Sequence, residues 1–358
     1  MDIDGEAVLR KELSRFAEPG DAISLVAFTA DVALYAAGVA VAVLAADWWL
    51  KILGVVVAGT ATSTLFILGH DAAHKSLFRS ATLNAVLGRI AFFPCLHNRT
   101  LWLIQHNRIH HQSTNVKGVN SFSPLSPDEY ARMPAWRRRV ERFYRSVAGF
   151  GAYYLIERWW KDKFFPRMDT PPTKRAPAWR DFGLILLGLV LLCGTLAWLG
   201  SVTGRSPPIA AMIWGFVLPF ATWNALMGTT AFLQHTNPHL PWFRTMADAR
   251  GAKTQGELAV YVRCPRWYDV LSHNIMQHPP HHVNPRIPWF RLPAAQRKLD
   301  ELLGADAVVA QFGPGYLLGL TRTCRLYDYD RKQWLDYRGA PTSAPERMYR
   351  SQQPAKAD

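Results

Sequence analysis

Four long stretches with almost no charged residue constrain the fold of this 358-residue chain more than any other feature. They cover residues 23–44, in which Asp31 is the one charged residue, and residues 52–69, 182–200 and 207–234, which carry no charge. An apolar helix needs about 20 residues to cross a hydrocarbon core about 30 Å thick. Soluble proteins rarely contain four such runs, so four buried helices of a soluble protein are the weaker interpretation. The sequence predicts an all-α integral membrane fold with four transmembrane helices.

The distribution of cations orients these helices in the membrane. The first two runs are joined by a turn whose only cation is Lys51, and the last two by a turn whose only cation is Arg205. Residues 112–181, in contrast, carry fourteen Lys and Arg. Because cytosolic loops are enriched in cations, we expect two helical hairpins with both termini in the cytosol. A cytosolic helical cap is expected to form from residues 97–181 and 235–340.

The chain divides into three predicted parts. Residues 1–22 form a cytosolic N-terminal segment, residues 23–340 a single membrane domain, and residues 341–358 a polar, flexible tail. The apolar stretch 82–96 is too short to span a bilayer and is expected to be a re-entrant or interfacial helix. Residues 149–165 mix aromatic and basic side chains, and either lie flat on the membrane or pack as an ordinary helix.

Composition excludes several other classes of protein. Lys and Arg number 41 against 27 Asp and Glu, which gives a formal charge of +14. Since the basic residues lie between membrane segments, nucleic acid is not an expected partner. The four cysteines are far apart and form no Cys-x-x-Cys motif. This spacing argues against a disulfide framework, a zinc ribbon and a built-in iron–sulfur cluster.

Histidines are concentrated in four short windows. Eleven of the twelve lie within residues 70–74, 106–111, 235–239 and 273–282. Such clustering is typical of a metal site, and imidazole suits zinc, copper, iron and nickel. Each window follows or adjoins the predicted cytosolic end of a membrane helix or lies in the cap, so the charge-derived topology brings all four to one membrane face. The number of candidates is too large for one ion and fits two.

The spacing within the windows agrees with helical presentation. His70 and His74 are four residues apart, which puts them on one face of a continuing helix. His106, His110 and His111 have a similar H-x3-H-H spacing, and the last window has the spacing H-x2-H-H. The chain has no Glu-x-x-His pair of the kind that builds carboxylate-bridged di-iron bundles. We therefore interpret the pattern as two metal ions bound by histidines alone at a membrane surface.

The four motifs, in chain order, read GHDAAHKSLF, QHNRIHHQSTN, FLQHTNPHLPWF and HNIMQHPPHHVNPRIPWF. They resemble the histidine boxes of the membrane fatty acid desaturase superfamily, over about residues 61–303. The stretch NVKG...FSPLSPDEY after the second box is similar to the acyl-lipid omega-6 (delta-12) type. That box has three residues between its first two histidines, where many desaturases have two and the hydroxylase branch has three. Hydroxylation of alkanes or fatty acids, or decarboxylation to terminal alkenes, is therefore the alternative reaction.

The resemblance implies a non-haem di-iron enzyme that uses O2 to desaturate a fatty acyl lipid. It implies nine iron ligands: His70, His74, His106, His110, His111, His235, His278, His281 and His282. The two electrons must come from an external donor, of the ferredoxin or cytochrome b5 type, because the chain has no cofactor motif of its own. The basic segment 132–180 suits docking of an acidic ferredoxin or contact with anionic lipid. The expected location is the bacterial inner membrane, with the metal site facing the cytosol.

The three remaining histidines and Asp71 are not among the nine implied ligands. His239 and His273 are surplus to the nine and are expected to support ligands or the fold, and His97 is expected to be structural. Asp71 either orients a ligand imidazole or caps a helix end. The acyl tunnel is expected between the hairpins, and its candidate lining residues are Thr64, Trp223 and Thr230.

Two further functions compete with an oxygenase. The sequence His70-Asp-Ala-Ala-His74 is close to the H-E-x-x-H motif of zinc proteases, but that function would leave seven clustered histidines unused. A metal transporter would hold its ligands near the bilayer midplane, whereas these histidines follow the helix ends. Metal analysis distinguishes a zinc protease from an oxygenase, and an assay of metal transport in vesicles distinguishes a transporter from an oxygenase.

Overall fold

The computed structural model describes residues 3–250 and 252–345, so that most of the predicted flexible tail, residues 346–358, lies outside the described part. These residues are mostly helical. The α-helices are α1 (Ile3–Leu13), α2 (Asp21–Leu44), α3 (Trp48–His74), α4 (Ala81–Phe92), α5 (Arg99–Trp102), α6 (Pro127–Arg132), α7 (Ala135–Tyr144), α8 (Phe150–Tyr153), α9 (Pro172–Thr203), α10 (Pro208–Met212), α11 (Leu218–His235), α12 (Met246–Ala249), α13 (Arg266–Leu271), α14 (Pro279–Val283), α15 (Leu292–Leu303) and α16 (Pro314–Thr323). Three π-helical segments cover Leu103–His110, Tyr154–Phe164 and Ile213–Val217.

Among the described residues, four helices are long and apolar enough to cross a membrane, as predicted. They are α2, α3, α9 and the continuous helix Pro208–His235 that comprises α10, a π-helical turn and α11. The π-helical turn ends just before Pro219, whose ring nitrogen has no proton to donate to the preceding turn. Two of these helices run well past the predicted apolar stretches, since α3 continues to His74 and α9 begins at Pro172.

Small residues let the first two membrane helices approach closely. Gly38 and Gly54 lie where α2 and α3 meet. A Cβ atom on Gly54 would be 2.4 Å from the backbone nitrogen of Ala42, and one on Gly38 would be 2.6 Å from that of Ala58. Close backbone packing at small residues is the usual basis of helix association in membranes. Helix α3 also packs on α11 and α4, which makes it the central helix of the fold.

Two short segments form helices apart from the four long ones. The apolar stretch 82–96 overlaps α4, whose twelve residues are too few to span a bilayer. Residues 149–165 form α8 and a π-helical segment in which Tyr154, Trp159 and Phe164 are buried. Of the two interpretations for 149–165, the buried aromatic residues favour a helix packed in the protein.

The prediction of a mainly helical fold is confirmed, but the described residues between 261 and 335 also form two small sheets that an all-α fold would not have. Strands β1 (Tyr261–Arg263) and β2 (Val309–Gln311) pair in parallel, and β3 (Leu326–Asp328) and β4 (Gln333–Leu335) pair antiparallel. Each strand has three residues. That is too short for the alternation of apolar and polar residues that reveals strands in a sequence.

Candidate metal centre

Eight histidines form two groups of four in the interior of the protein. In each group the ligand nitrogens all lie within 4.8 Å of one another. The first group is His70, His74, His106 and His281, and the second is His110, His235, His278 and His282. All eight are among the nine residues proposed from the sequence as ligands.

The ends of four elements bring these groups together. Helix α3 supplies its last turn to the first group, and α11 supplies its final residue, His235, to the second. The π-helical segment contributes His106 to one group and His110 to the other, although their rings stack with centroids 4.9 Å apart. Helix α14 also contributes to both groups, because His281 belongs to the first group and His282 to the second.

The ninth histidine, His111, lies at the boundary of the two groups. Its Nε2 is 3.1 Å from the Nε2 of His106 and 3.1 Å from that of His281, both in the first group. Its ring centroid is 4.8 Å from that of His282 in the second group. All nine side chains proposed as ligands therefore occupy one continuous region.

The nitrogen positions fit metal ions better than they fit hydrogen bonds. His278 Nε2 is 3.1 Å from His235 Nε2 and 2.9 Å from His282 Nε2. A neutral imidazole nitrogen carries either one proton or one lone pair, so it cannot form a full hydrogen bond to both neighbours. Two nitrogens bound at right angles to a common ion, each at about 2.1 Å, are about 3 Å apart. His74 Nε2 is buried and has no hydrogen-bond partner among the described residues, as expected for a ligand atom.

Burial keeps these imidazoles neutral. It lowers the pKa of the candidate ligands that lie outside the membrane helices, and repulsion between neighbouring imidazoles lowers it further; these residues are His106, His110, His111, His278, His281 and His282. For His111 the pKa falls to about 3. A neutral imidazole has a free lone pair, which is the form that binds a metal ion.

Hydrogen bonds at the far side of two rings fix which nitrogen faces the site. Asp71 Oδ1 lies 3.0 Å from His70 Nδ1, and its Oδ2 accepts a 2.7 Å hydrogen bond from the backbone N–H of Trp289. Of the two roles considered for Asp71, the structure therefore shows contact with the imidazole. Thr114 Oγ1 lies 3.2 Å from His282 Nδ1. Such contacts at Nδ1 leave Nε2 with its lone pair toward the site.

Two of the supporting residues were not identified from the sequence. The indole of Trp102 stacks on His106 with ring centroids 4.2 Å apart. Trp102 precedes His106 by four residues, and this helical spacing could have indicated the contact from the sequence. Thr114 donates to Gln255 Oε1 at 2.8 Å while its oxygen faces His282. No local spacing indicates that contact, because it joins residues far apart in the chain.

A narrow cavity of about 70 Å³ adjoins both histidine groups. Its apolar wall includes Phe66, Met227 and Ala231, and its polar wall includes Arg158 and Lys163. Thr64, Trp223 and Thr230, which were the sequence-based candidates for a tunnel lining, do not line this cavity. Thr64 and Trp223 are instead buried in helix packing, and Thr64 donates to the carbonyl oxygen of Ala61.

The three other histidines lie outside the groups. His239 is exposed after the end of α11, which stops before Pro238. His273 Nε2 lies 2.7 Å from Asp31 Oδ2, so it links the segment after α13 to the charged residue of α2. His97 is buried between Cys95 O at 3.0 Å and the Tyr154 hydroxyl at 3.2 Å. These contacts agree with roles in the fold.

Comparison with known proteins gives the family. The sequence profile of the fatty acid desaturase family matches residues 46–313, which include both histidine groups. The chain belongs to the fatty acid desaturase family. The predicted family, and with it the predicted enzyme class of oxidoreductase, is confirmed.

Relatives within the fatty acid desaturase family are similar over most of the chain. An sn-1 oleoyl-lipid 12-desaturase of Synechocystis is 27% identical over 276 residues, which cover 75% of this chain and 74% of the relative. A chloroplastic omega-6 fatty acid desaturase of Glycine max is 27% identical over 297 residues, or 80% of this chain and 65% of the relative. An sn-1 acyl-lipid omega-3 desaturase (ferredoxin) of Synechocystis is 27% identical over 288 residues, or 80% of this chain and 77% of the relative.

Proposed function

We propose that the chain is a membrane-bound, O2-dependent fatty acyl desaturase whose nine clustered histidines hold two iron ions. The observation that carries this proposal is the convergence of neutral imidazole nitrogens into two adjacent groups of four, with His111 between them. Iron suits an all-imidazole site, and the family uses it. A zinc protease has less support, since both oxygens of Asp71 are occupied by His70 and the backbone of Trp289.

The two histidine groups would hold two iron ions, which would supply the O2-dependent oxidising power that removal of hydrogen from an unactivated CH2 requires and that side chains alone cannot provide. The protein holds the ligands and excludes water. Asp71 and Thr114 orient two of the rings, and Trp102 covers His106. The histidines of α3, α11 and α14 are buried, so few water molecules reach the lone pairs.

The substrate is the acyl chain of a membrane lipid. Phe66, Met227 and Ala231 form an apolar wall beside the histidines, which suits a hydrocarbon chain and offers it no hydrogen-bonding partner. The names of the similar proteins, which act on oleoyl and other acyl lipids, agree with this class of substrate. The reaction converts one CH2–CH2 unit of the chain to CH=CH.

The proposed topology follows the distribution of cations in the sequence. Four helices form two hairpins, with both termini and the histidine groups on the cytosolic side of a bacterial inner membrane. Residues 23–340 form one membrane domain, and residues 97–181 and 235–340 form its cap. The location of both histidine groups at the ends of α3 and α11 supports this arrangement.

An external ferredoxin-type protein supplies the electrons. The name of the omega-3 relative includes ferredoxin, and the cap is rich in cations. Not all of these cations face a partner, because Arg145 is buried against Glu141 and Arg137 pairs with Glu157. The exposed Arg139 on α7 is one of the side chains left for electrostatic steering of an acidic donor.

Expression of the chain in a bacterial host, followed by gas chromatography of the host lipids and iron analysis of the purified protein, tests the proposal. We expect a new unsaturated acyl chain and about two iron ions per chain. Hydroxylated acyl chains, or terminal alkenes one carbon shorter, would contradict desaturation and assign the site to the related reactions. Zinc at one ion per chain would contradict the metal assignment.

Histidine variants test the ligand set. His281→Ala and His110→Ala remove one member of each group, and we expect both to abolish product formation and to lower bound iron. His239→Ala is the matched control, because this exposed histidine lies outside both groups. Wild-type iron content and activity in His281→Ala or His110→Ala would remove that residue from the ligand set.

A further inference from the structure

A second cavity, of about 310 Å³, opens between α4 and α9. Its apolar walls include Val86, Ile90 and Leu184, whose side chains are about half exposed. Leu184 lies within the charge-free run of α9, and Asp181 immediately precedes that run. The mouth of the cavity is therefore lined by surface that a bilayer would cover, close to the level at which the charged residues begin.

The inner wall carries more positive than negative charge. Arg89 and Arg99 line the cavity together with a single carboxylate, that of Asp181. Arg89 Nε donates to Asp181 Oδ1 at 2.8 Å. The other oxygen, Oδ2, accepts from the backbone N–H of Thr100 at 3.0 Å and from its hydroxyl at 2.7 Å. Both oxygens of the carboxylate are thus engaged by groups other than Arg99.

Arg99 is left without a counter-anion. Its Nε is buried and has no hydrogen-bond partner, and its guanidinium makes no ion pair with any residue in the described ranges 3–250 and 252–345. The group lies against Gly88, where a Cβ atom would be 3.6 Å from Arg99 Nε. Burial and the nearby charge of Arg89 lower the pKa of Arg99, and Asp181 opposes this only in part. Arg99 as a whole is only partly buried and faces the cavity, so the cavity is where a partner for its buried, unpaired Nε would lie.

The other polar group in the cavity cannot supply that partner. His97 lines the same cavity, but both of its ring nitrogens are engaged, by Cys95 O and by the Tyr154 hydroxyl. Tyr154 in turn lines the cavity beside the histidine groups. The two cavities are therefore separated by the side chains of His97 and Tyr154 and are distinct sites.

We propose that the cavity between α4 and α9 binds the phosphate group of an anionic membrane phospholipid. The phosphate accepts hydrogen bonds from the guanidinium of Arg99, with Arg89 beside it, and an acyl chain of the same lipid lies along Val86, Ile90 and Leu184. Guanidinium groups bind phosphate through paired, charge-assisted hydrogen bonds. The half-exposed apolar walls favour a lipid over a soluble phosphate, because a free ion would leave them unoccupied. This site does not depend on the proposed desaturase reaction.

Native mass spectrometry of the full-length, iron-loaded protein tests the proposal, with phosphatidylglycerol and phosphatidylcholine as probes. We expect preferential retention of one phosphatidylglycerol, and weaker retention by about tenfold or more in Arg99→Gln, which removes the charge-assisted hydrogen bonds. Arg180→Gln is the matched control, since Arg180 is exposed on the same helix next to Asp181 and does not line the cavity. It removes the same charge at the same interface and should leave retention close to that of the wild type.

Further measurements separate the proposal from its alternatives. Leu184→Trp narrows the apolar wall without changing a charge and should also weaken retention of phosphatidylglycerol. Iron content and unfolding temperature identify any variant that has lost its fold. Equal retention in wild type and Arg99→Gln, or equal retention of the two lipids by the wild type, would overturn the proposal. Complete displacement of the lipid by millimolar inorganic phosphate would assign the site to a soluble anion and would also overturn it.

Discussion

The substitution Asp71→Asn offers a sharp test of how the protein controls its proposed ligands. Asp71 accepts from the backbone of Trp289 with one oxygen and contacts His70 Nδ1 with the other. An asparagine keeps the first contact through its carbonyl oxygen but presents an NH2 group to the imidazole. The ring then has to accept at Nδ1 and carry its proton on Nε2. The lone pair that faces the first histidine group is thereby lost.

The expected effect follows from this exchange of tautomers. Removing the hydrogen-bond partner of a metal-ligating histidine typically weakens metal binding by about 10- to 100-fold, or about 1.4 to 2.7 kcal/mol. We place Asp71→Asn in the upper half of that range, because the carboxylate is almost fully buried and water cannot replace it. The other three histidines of the first group remain, so we expect weaker iron binding rather than an unfolded protein.

Iron retained per chain, measured against increasing concentrations of a competing chelator, gives the affinity. Asp31→Asn is the matched control, because Asp31 and His273 form a similar buried pair, 2.7 Å apart, outside both histidine groups. That variant should lower the unfolding temperature and leave iron binding unchanged. Wild-type iron affinity in Asp71→Asn would refute the orienting role of Asp71, and equal losses in the two variants would show a general effect on the fold.

Three other perturbations test the packing, the charge and the cavity. Gly54→Val should lower the unfolding temperature in detergent and destabilise the fold by about 1–3 kcal/mol, because its Cβ would be 2.4 Å from the α2 backbone. Gly194→Val, where nothing lies within 4 Å of the added Cβ, should leave the unfolding temperature unchanged. Equal effects of the two variants would contradict the close packing of α2 on α3. Burial lowers the pKa of Lys163 to about 7, so between that pH and 10.5 the unfolded chain binds a proton that the folded one does not. The free energy of unfolding should therefore rise with pH in this range. The stabilisation by Lys163→Met should be largest near pH 7 and shrink toward about pH 10. A stability difference between variant and wild type that stays constant with pH would contradict the lowered pKa of Lys163. Ala231→Trp should fill the cavity and stop product formation while iron content stays at the wild-type level, and unchanged product would exclude this wall from the substrate site.

The sequence predicted well those features that depend only on residues close together in the chain. Membrane spans require only local hydropathy, so the four long apolar helices appear where the uncharged runs lie. The clustering of the histidines pointed to eleven residues, and the resemblance to the desaturase family narrowed them to the nine that the fold brings together. Motif order then led to the fatty acid desaturase family, which the family profile confirms.

Features that depend on tertiary contacts were not predictable in this way. The division of His106 and His110 between the two groups depends on a π-helical segment, and the sequence contains no clear signal for one. The contact of Thr114 with His282 and the cavity wall at Ala231 both join segments far apart in the chain. The tunnel candidates Thr64 and Trp223 do not line the cavity beside the histidines, since hydropathy does not tell which face of a buried helix lines a cavity.

Anomalous diffraction at the iron edge, from crystals of the iron-loaded protein, tests the central claim most directly. Two anomalous peaks are expected, one enclosed by His70, His74, His106 and His281 and the other by His110, His235, His278 and His282. The ligand nitrogens should lie about 2.1 Å from each peak. A single peak, a signal only at the zinc edge, or iron bound away from these histidines would contradict the account.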